Sequence, residues 1–119
     1  MRYLFLLNRS VDGLPEPGTA QAAAMFAAYM EVTEAMAKAG VLVDSAPLTG
    51  ESAATTVRIR DGQVLITDGP AAEIKEYLGG YTVVDCADLD EALSWAARIP
   101  AARDASVEVR PVAAARPPE

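Results

Sequence analysis

Tyr3-Leu4-Phe5-Leu6-Leu7 is apolar without interruption and stops at Asn8. A run this short suits a strand rather than a helix, and its lack of alternation is the pattern of a strand covered on both faces. Gly80-Tyr81-Thr82-Val83-Val84-Asp85-Cys86 reads as a second strand of nearly the same kind. What lies between and after these two segments sets the fold. If only two helices are available, they cover one face of the sheet and leave the other apolar face open.

The first helix is predicted from Thr19, an N-cap residue, to about Lys38, with Gly40 as its stop. Met25, Tyr29, Val32 and Met36 recur at helical spacing, and Phe26, Met30 and Thr33 widen that face. The methionines suit core packing, with an adaptable binding surface as the other reading. Glu34 and Lys38 form an i,i+4 pair on the polar side. Ahead of the helix, residues 11–18 form a Gly- and Pro-rich loop.

Val41 to Leu48 is predicted to be extended, and Pro47 argues for a sheet edge. Thr56-Val57-Arg58-Ile59-Arg60 and Val64-Leu65-Ile66-Thr67 flank Asp61-Gly62, a strong hairpin signal. Asp88 and Glu91 match a capping box. The helix they open turns Leu89, Ala92, Leu93 and Ala96 inward and ends before Pro100. Val107 to Arg110 is a last strand, terminated by Pro111, and residues 113–119 form a tail without core pattern.

The order is strand, helix, hairpin-rich strands, helix, strand. That is an α+β fold, a ferredoxin-like βαββαβ sandwich with an extra β-hairpin, over residues 1–112. The uncovered apolar face predicts a homodimer with sheets packed face to face.

Composition limits the chemistry. The chain has 119 residues, 24 of them alanine, with no histidine and one cysteine. Without histidine, Ser-His-Asp and Cys-His catalysis and His-containing zinc sites are excluded. Cys86 cannot form an internal disulfide, which suits a reducing cytoplasm, and its apolar strand predicts an inert thiol. The net charge is −7, of which residues 61–119 carry −6. No basic cluster marks a nucleic-acid surface, and no segment reads as a signal peptide or membrane span.

The densest polar segment runs from Thr67-Asp68-Gly69-Pro70 through Glu73, Lys75 and Glu76 to Gly79-Gly80. It is predicted to leave a strand, turn, run through roughly two helical turns and stop at the glycine pair. One reading is a capped connecting helix with a solvated face. The other places Asp68, Glu73, Lys75 and Glu76 along a ligand cleft. Asp68 is the candidate catalytic carboxylate, with a like-charged neighbour such as Glu73 to raise its pKa, and an Asx-type turn is its alternative role. Lys75 or Arg60 would neutralise an anionic ligand. Glu108 and Arg110 share a face of the last strand, as surface or interface charges or as ligand contacts. Asp68, Glu73 and Glu76 suit oxygen-loving cations in type, but no calcium-loop spacing is present and no metal or cofactor is expected.

Arg60-Asp61-Gly62, Thr67-Asp68-Gly69-Pro70, Glu73, Lys75-Glu76 and Gly79-Gly80-Tyr81 resemble the signature of YCII-related proteins of the DGPF type. Asp88-Leu89-Asp90-Glu91-Ala92 with Trp95 and Pro100 resembles that family's second helix, and Val107 to Val112 its closing strand. The resemblance implies a dimeric α+β barrel of ferredoxin-like subunits. The concentrated polar segment points to a small polar or anionic ligand. DGPF-type members often occur beside extracytoplasmic-function sigma factors; that resemblance and the acidic second half imply, as the alternative, an interaction or regulatory role with such a factor. Some relatives are suspected enzymes with a His-Asp pair, and one branch resembles muconolactone-processing enzymes. This chain has no histidine to complete such a pair, and Ala71 follows Asp68-Gly69-Pro70 where the family name has phenylalanine.

Overall fold

In the computed structural model, β1 spans Arg2–Ser10 and turns Tyr3, Phe5 and Leu7 into the core, while Leu4 and Leu6 face the opposite side half-buried. The structure describes residues 1–10, 14–72 and 76–113. Helix α1 (Ala20–Lys38) follows, then β2 (Leu42–Pro47), β3 (Thr55–Arg60), β4 (Gln63–Asp68), β5 (Glu76–Asp85), α2 (Leu89–Ala96), α3 (Ala101–Asp104) and β6 (Ser106–Pro111). The main sheet has the order β2-β5-β1-β6 with every pair antiparallel, and β3 and β4 form a separate two-stranded sheet. This is the ferredoxin-like arrangement with an extra hairpin, as expected.

Local chemistry explains the element ends. Thr19 accepts the Ala22 N–H at 3.2 Å. At the other end of α1, Gly40 takes φ +77°, and the Gly40 and Val41 N–H groups donate to the Ala37 and Met36 carbonyls. That paired pattern is a Schellman stop, which favours glycine because of its positive φ. Asp61 and Gly62 both have positive φ, the requirement of a tight type I′ hairpin turn. β2 is an edge strand and Pro47 is its last residue, where a missing N–H costs no ladder bond.

The core lies between the helices and one face of the sheet: Phe5, Val84, Met36 and Ile99 are its largest fully buried side chains. Val32 and Met36 of α1 enter it, with Tyr29 packed against its edge. Phe26 and Met30 do not, at 69% and 51% exposure. They lie off the narrow stripe of α1 that the sheet covers, so the broader apolar face expected for this helix is cut back. Leu89 and Leu93 are likewise exposed, because α2 rests on the sheet through its small residues Ala92 and Ala96.

The predicted helix before the glycine pair is also corrected. Residues 73–75 lie outside the described residues, and from Glu76 onward the chain is strand. Leu7 pairs with Gly80 and Asn8 with Leu78, so Gly79 is the extra residue of a β-bulge. A Cβ there would stand 2.5 Å from Arg9 Cδ, so the glycine makes room for the Arg9 side chain. The guanidinium of Arg9 sits 5.3 Å from the Tyr29 ring centroid. Gly79-Gly80 serves close approach inside a strand, not the end of a helix.

On its other face, the sheet presents Leu4, Leu6, Tyr81 and Val83, paired across β1 and β5. Glu108 and Arg110, an ion pair, oppose Leu6 and Leu4 on this same face. The Tyr81 hydroxyl donates to Asp44 at 3.0 Å, and this bond raises the phenol above its ordinary pKa.

Candidate functional site

The two connections that leave and rejoin the main sheet around the β3–β4 hairpin face each other across a cleft of about 420 Å³. One wall is residues 48–54, the link from β2 to β3; the other is Pro70, Ala71 and Ala72 after β4, with Tyr77 and Leu78 at the start of β5. Backbone bonds hold the walls together. The Leu48 N–H donates to the Gly79 carbonyl at 2.9 Å, and the Gly69 N–H to the Ala54 carbonyl at 2.7 Å. Gly69 has φ +97°, so its position in Asp-Gly-Pro meets a backbone need.

The lining is mostly apolar, with Thr49, Glu51 and Tyr77 as its side-chain polar groups. An apolar cleft with a few polar groups is the usual form of a small-molecule site. Ala71 lies in the wall, where a larger side chain would take up cleft volume.

Of the expected site residues that the structure describes, Asp68 and Glu76 adjoin lining segments of this cleft. Asp68 ends β4 opposite Thr55, two residues before the lining Pro70, and is exposed. Among the described residues its carboxylate takes no hydrogen bond, so the Asx-turn bond expected as its alternative role is not formed there. Arg60 lies at the other end of the hairpin, paired with Gln63, and the five-residue separation puts it about 17 Å away along the strand. The two also project from opposite faces of the hairpin, since Thr55, Val57 and Ile59 share the Asp68 face.

Glu76 belongs to a different group. It accepts the Ser106 hydroxyl at 2.5 Å, and Ser106 in turn accepts Asn8 Nδ2 at 3.2 Å. This chain of bonds ties β5, β6 and β1 together. Arg110 pairs with Glu108 on the open sheet face, away from the cleft lining. Glu73 and Lys75 fall outside the described residues. Within one chain Asp68 and Glu76 therefore flank the lining segments without entering the lining, Glu76 is engaged with Ser106, and Arg60 and Arg110 lie elsewhere.

Sequence reasoning missed Thr49, Glu51 and Tyr77. Pro47 and Gly50 flank Thr49, with Glu51 next in the chain, and signal a loop, but nothing in a linear reading says that this loop faces the segment after β4. Among the described residues no group of three or more Asp, Glu, Cys or His is placed to hold a metal. No helix there is long and apolar enough to cross a membrane.

Cys86 is buried, and burial first, then the nearby Glu91, pushes its thiol up to about 11. A thiol so held is protonated at neutral pH and is a poor nucleophile.

Comparison with known proteins adds three findings. The model of the YCII-related domain matches residues 1–116. An uncharacterized protein of Rhizobium meliloti is 44% identical over 84 residues, covering 69% of this chain and 68% of that protein. Among solved structures, a 5-chloro-2-hydroxyhydroquinone dehydrochlorinase from Burkholderia phenoliruptrix, in complex with 2,5-dihydroxybenzoquinone, aligns with a TM-score of 0.51. That alignment covers 95% of this chain and 94% of the other at 17% identity, and it shows a shared fold.

Proposed function

The chain belongs to the YCII-related family, and from that premise we propose that it is a small-molecule-binding protein that acts as a homodimer. The observation that carries this reading is the mostly apolar cleft of about 420 Å³, one wall of which is Pro70 of the Asp-Gly-Pro turn with Ala71 and Ala72 after it. The ligand is small and polar or anionic, of the size of a single substituted ring. The structural neighbour binds such a ring, 2,5-dihydroxybenzoquinone. Tyr77 and Thr49 supply hydrogen bonds, and Lys75, two residues before Tyr77 in sequence, supplies counter-charge to an anion.

Any catalysis is weak acid–base work by Asp68, since no histidine exists to share it. Asp68 is exposed, so the bound ligand itself would have to exclude water from the carboxylate during such a proton transfer. The dimer forms through the open sheet face, where Leu4, Leu6, Tyr81 and Val83 form an apolar centre with Asp44, Glu108 and Arg110 around them. That pattern of apolar core and polar rim is common in protein interfaces. No feature among the described residues favours the sigma-factor reading over this one.

Calorimetric titration with 2,5-dihydroxybenzoquinone and with simple hydroxybenzoates tests the site. Saturable binding is expected, weakened by Ala71→Leu, which fills the cleft, and by Lys75→Ala, which removes the cation. If none of these probes binds, or if both variants bind as the native chain does, the cleft is not the site. Sedimentation equilibrium tests the assembly, and a monomeric mass in dilute solution overturns the dimer.

A further inference from the structure

The β3–β4 hairpin is an arm with one bare aliphatic face. Val57 opposes Ile66 and Ile59 opposes Val64, so these four side chains share a face, and all are 61–69% exposed. The other face turns toward the arm's own chain: the Thr56 hydroxyl donates to the Gly69 carbonyl at 2.7 Å, and Arg58 donates to the Ala71 carbonyl at 3.3 Å. The arm is thereby held with its apolar side outward. The chain has a radius of gyration of 16.6 Å, against about 13.5 Å for a compact domain of this length, as expected for a projecting element.

We propose that this aliphatic face is a contact surface for a second copy of the chain. The inference rests on the homodimer reading above and adds to it a second, separate point of contact. Three observations favour a copy of the same chain. A two-stranded hairpin is marginal in water without a cover, and none of the described elements of its own chain covers this face. The four side chains offer roughly 300 Å² of apolar surface, a little over a third of the roughly 800 Å² each partner buries in an interface of standard size, and the open sheet face supplies area toward the remainder. The chain carries a net charge of −7, so two copies repel overall, and a contact through an uncharged patch adds no close like-charge pairs to that repulsion. Apart from Asp68 at its base, the outward face of the arm carries no charged residue.

The test uses the full chain. Val57→Thr/Ile66→Thr keeps good strand formers on the arm while removing apolar contact. By sedimentation equilibrium, this variant is expected to weaken the dimer at least about tenfold, with an unchanged circular dichroism spectrum. Leu6→Glu, on the open sheet face, is the companion variant. A photoreactive residue at position 59, in a mixture of isotopically light and heavy chains, is expected to yield mixed light–heavy products. If the native chain dimerises, Leu6→Glu disrupts it and the arm variant does not, the arm inference fails while the dimer stands. If cross-links from position 59 stay within one chain, the arm inference fails as well. A native chain that is monomeric at every concentration overturns both readings, and cross-links only to other proteins added to the mixture overturn this one.

Discussion

Gly80 lies so close to Ala46 on the neighbouring strand that a Cβ would stand 2.9 Å from the Ala46 carbonyl oxygen. That oxygen belongs to the backbone of β2 and cannot swing away. Gly80→Ala therefore forces the β2–β5 pair apart, and a loss of about 1–3 kcal/mol is expected in urea denaturation. Gly79→Ala meets the Arg9 side chain instead, which can move. The cost there is the smaller cation–π contact with Tyr29, about 0.5–1 kcal/mol. Equal losses for the two variants would contradict the bulge geometry.

The start of α2 offers a second test. Asp88 Oδ1 accepts the Glu91 N–H at 2.9 Å, and Glu91 Oε1 accepts the Ala87 N–H at 2.8 Å. Asp88→Ala is expected to cost about 1 kcal/mol in thermal unfolding, with Asp88→Asn close to native because the amide oxygen still caps.

Ser106 links three strands through Asn8 and Glu76. Ser106→Ala leaves the Glu76 carboxylate and the Asn8 amide without their shared partner and is expected to cost about 1–3 kcal/mol. Glu76→Gln keeps an acceptor for the Ser106 hydroxyl, and its loss is expected to be the smaller of the two.

Cys86 sets a pH dependence. Its thiol is raised from 9.0 to about 11 in the folded chain, so the folded state holds the proton more tightly than the unfolded state. Its contribution is complete below pH 9 and is lost as pH rises toward about 11. Denaturation from pH 8 upward should show stability falling over that window, and Cys86→Ala should lose that part of the slope. Native protein at pH 8 should resist alkylation by iodoacetamide and react once unfolded.

Most of the fold was legible because its signals are local. The Thr19 cap and the Gly40 stop are read from neighbours a few residues apart, and so are the Asp61-Gly62 turn and the Asp88–Glu91 pair. Periodicity failed where burial depends on what lies opposite. Phe26, Met30, Leu89 and Leu93 have helical spacing but stay exposed, while Val32, Met36, Ala92 and Ala96 are buried and Tyr29 and Trp95 pack against the core. The Gly79-Gly80 pair carries the same letters as a helix stop; only the approach of Arg9 and Ala46 makes it a strand bulge.

The candidate site was legible in one wall and not in the other. Asp68-Gly69-Pro70 stands out as a polar turn after a strand, whereas Thr49 and Glu51 sit in an ordinary loop that only the return of β5 beside β2 brings across from it.

The amino-acid sequence by itself determined the family, the order of the strands with the two main helices, and the loss of histidine chemistry, because each follows from residue identity and short-range spacing. The tertiary structure decided which side chains share a cleft, set Arg60 at the far end of the hairpin from Asp68, and engaged Glu76 with Ser106 and Arg110 with Glu108. It also turned the aliphatic side of the hairpin outward. Those outcomes depend on contacts between residues far apart in the chain, such as Ser106 with Asn8, and chain order alone does not fix them.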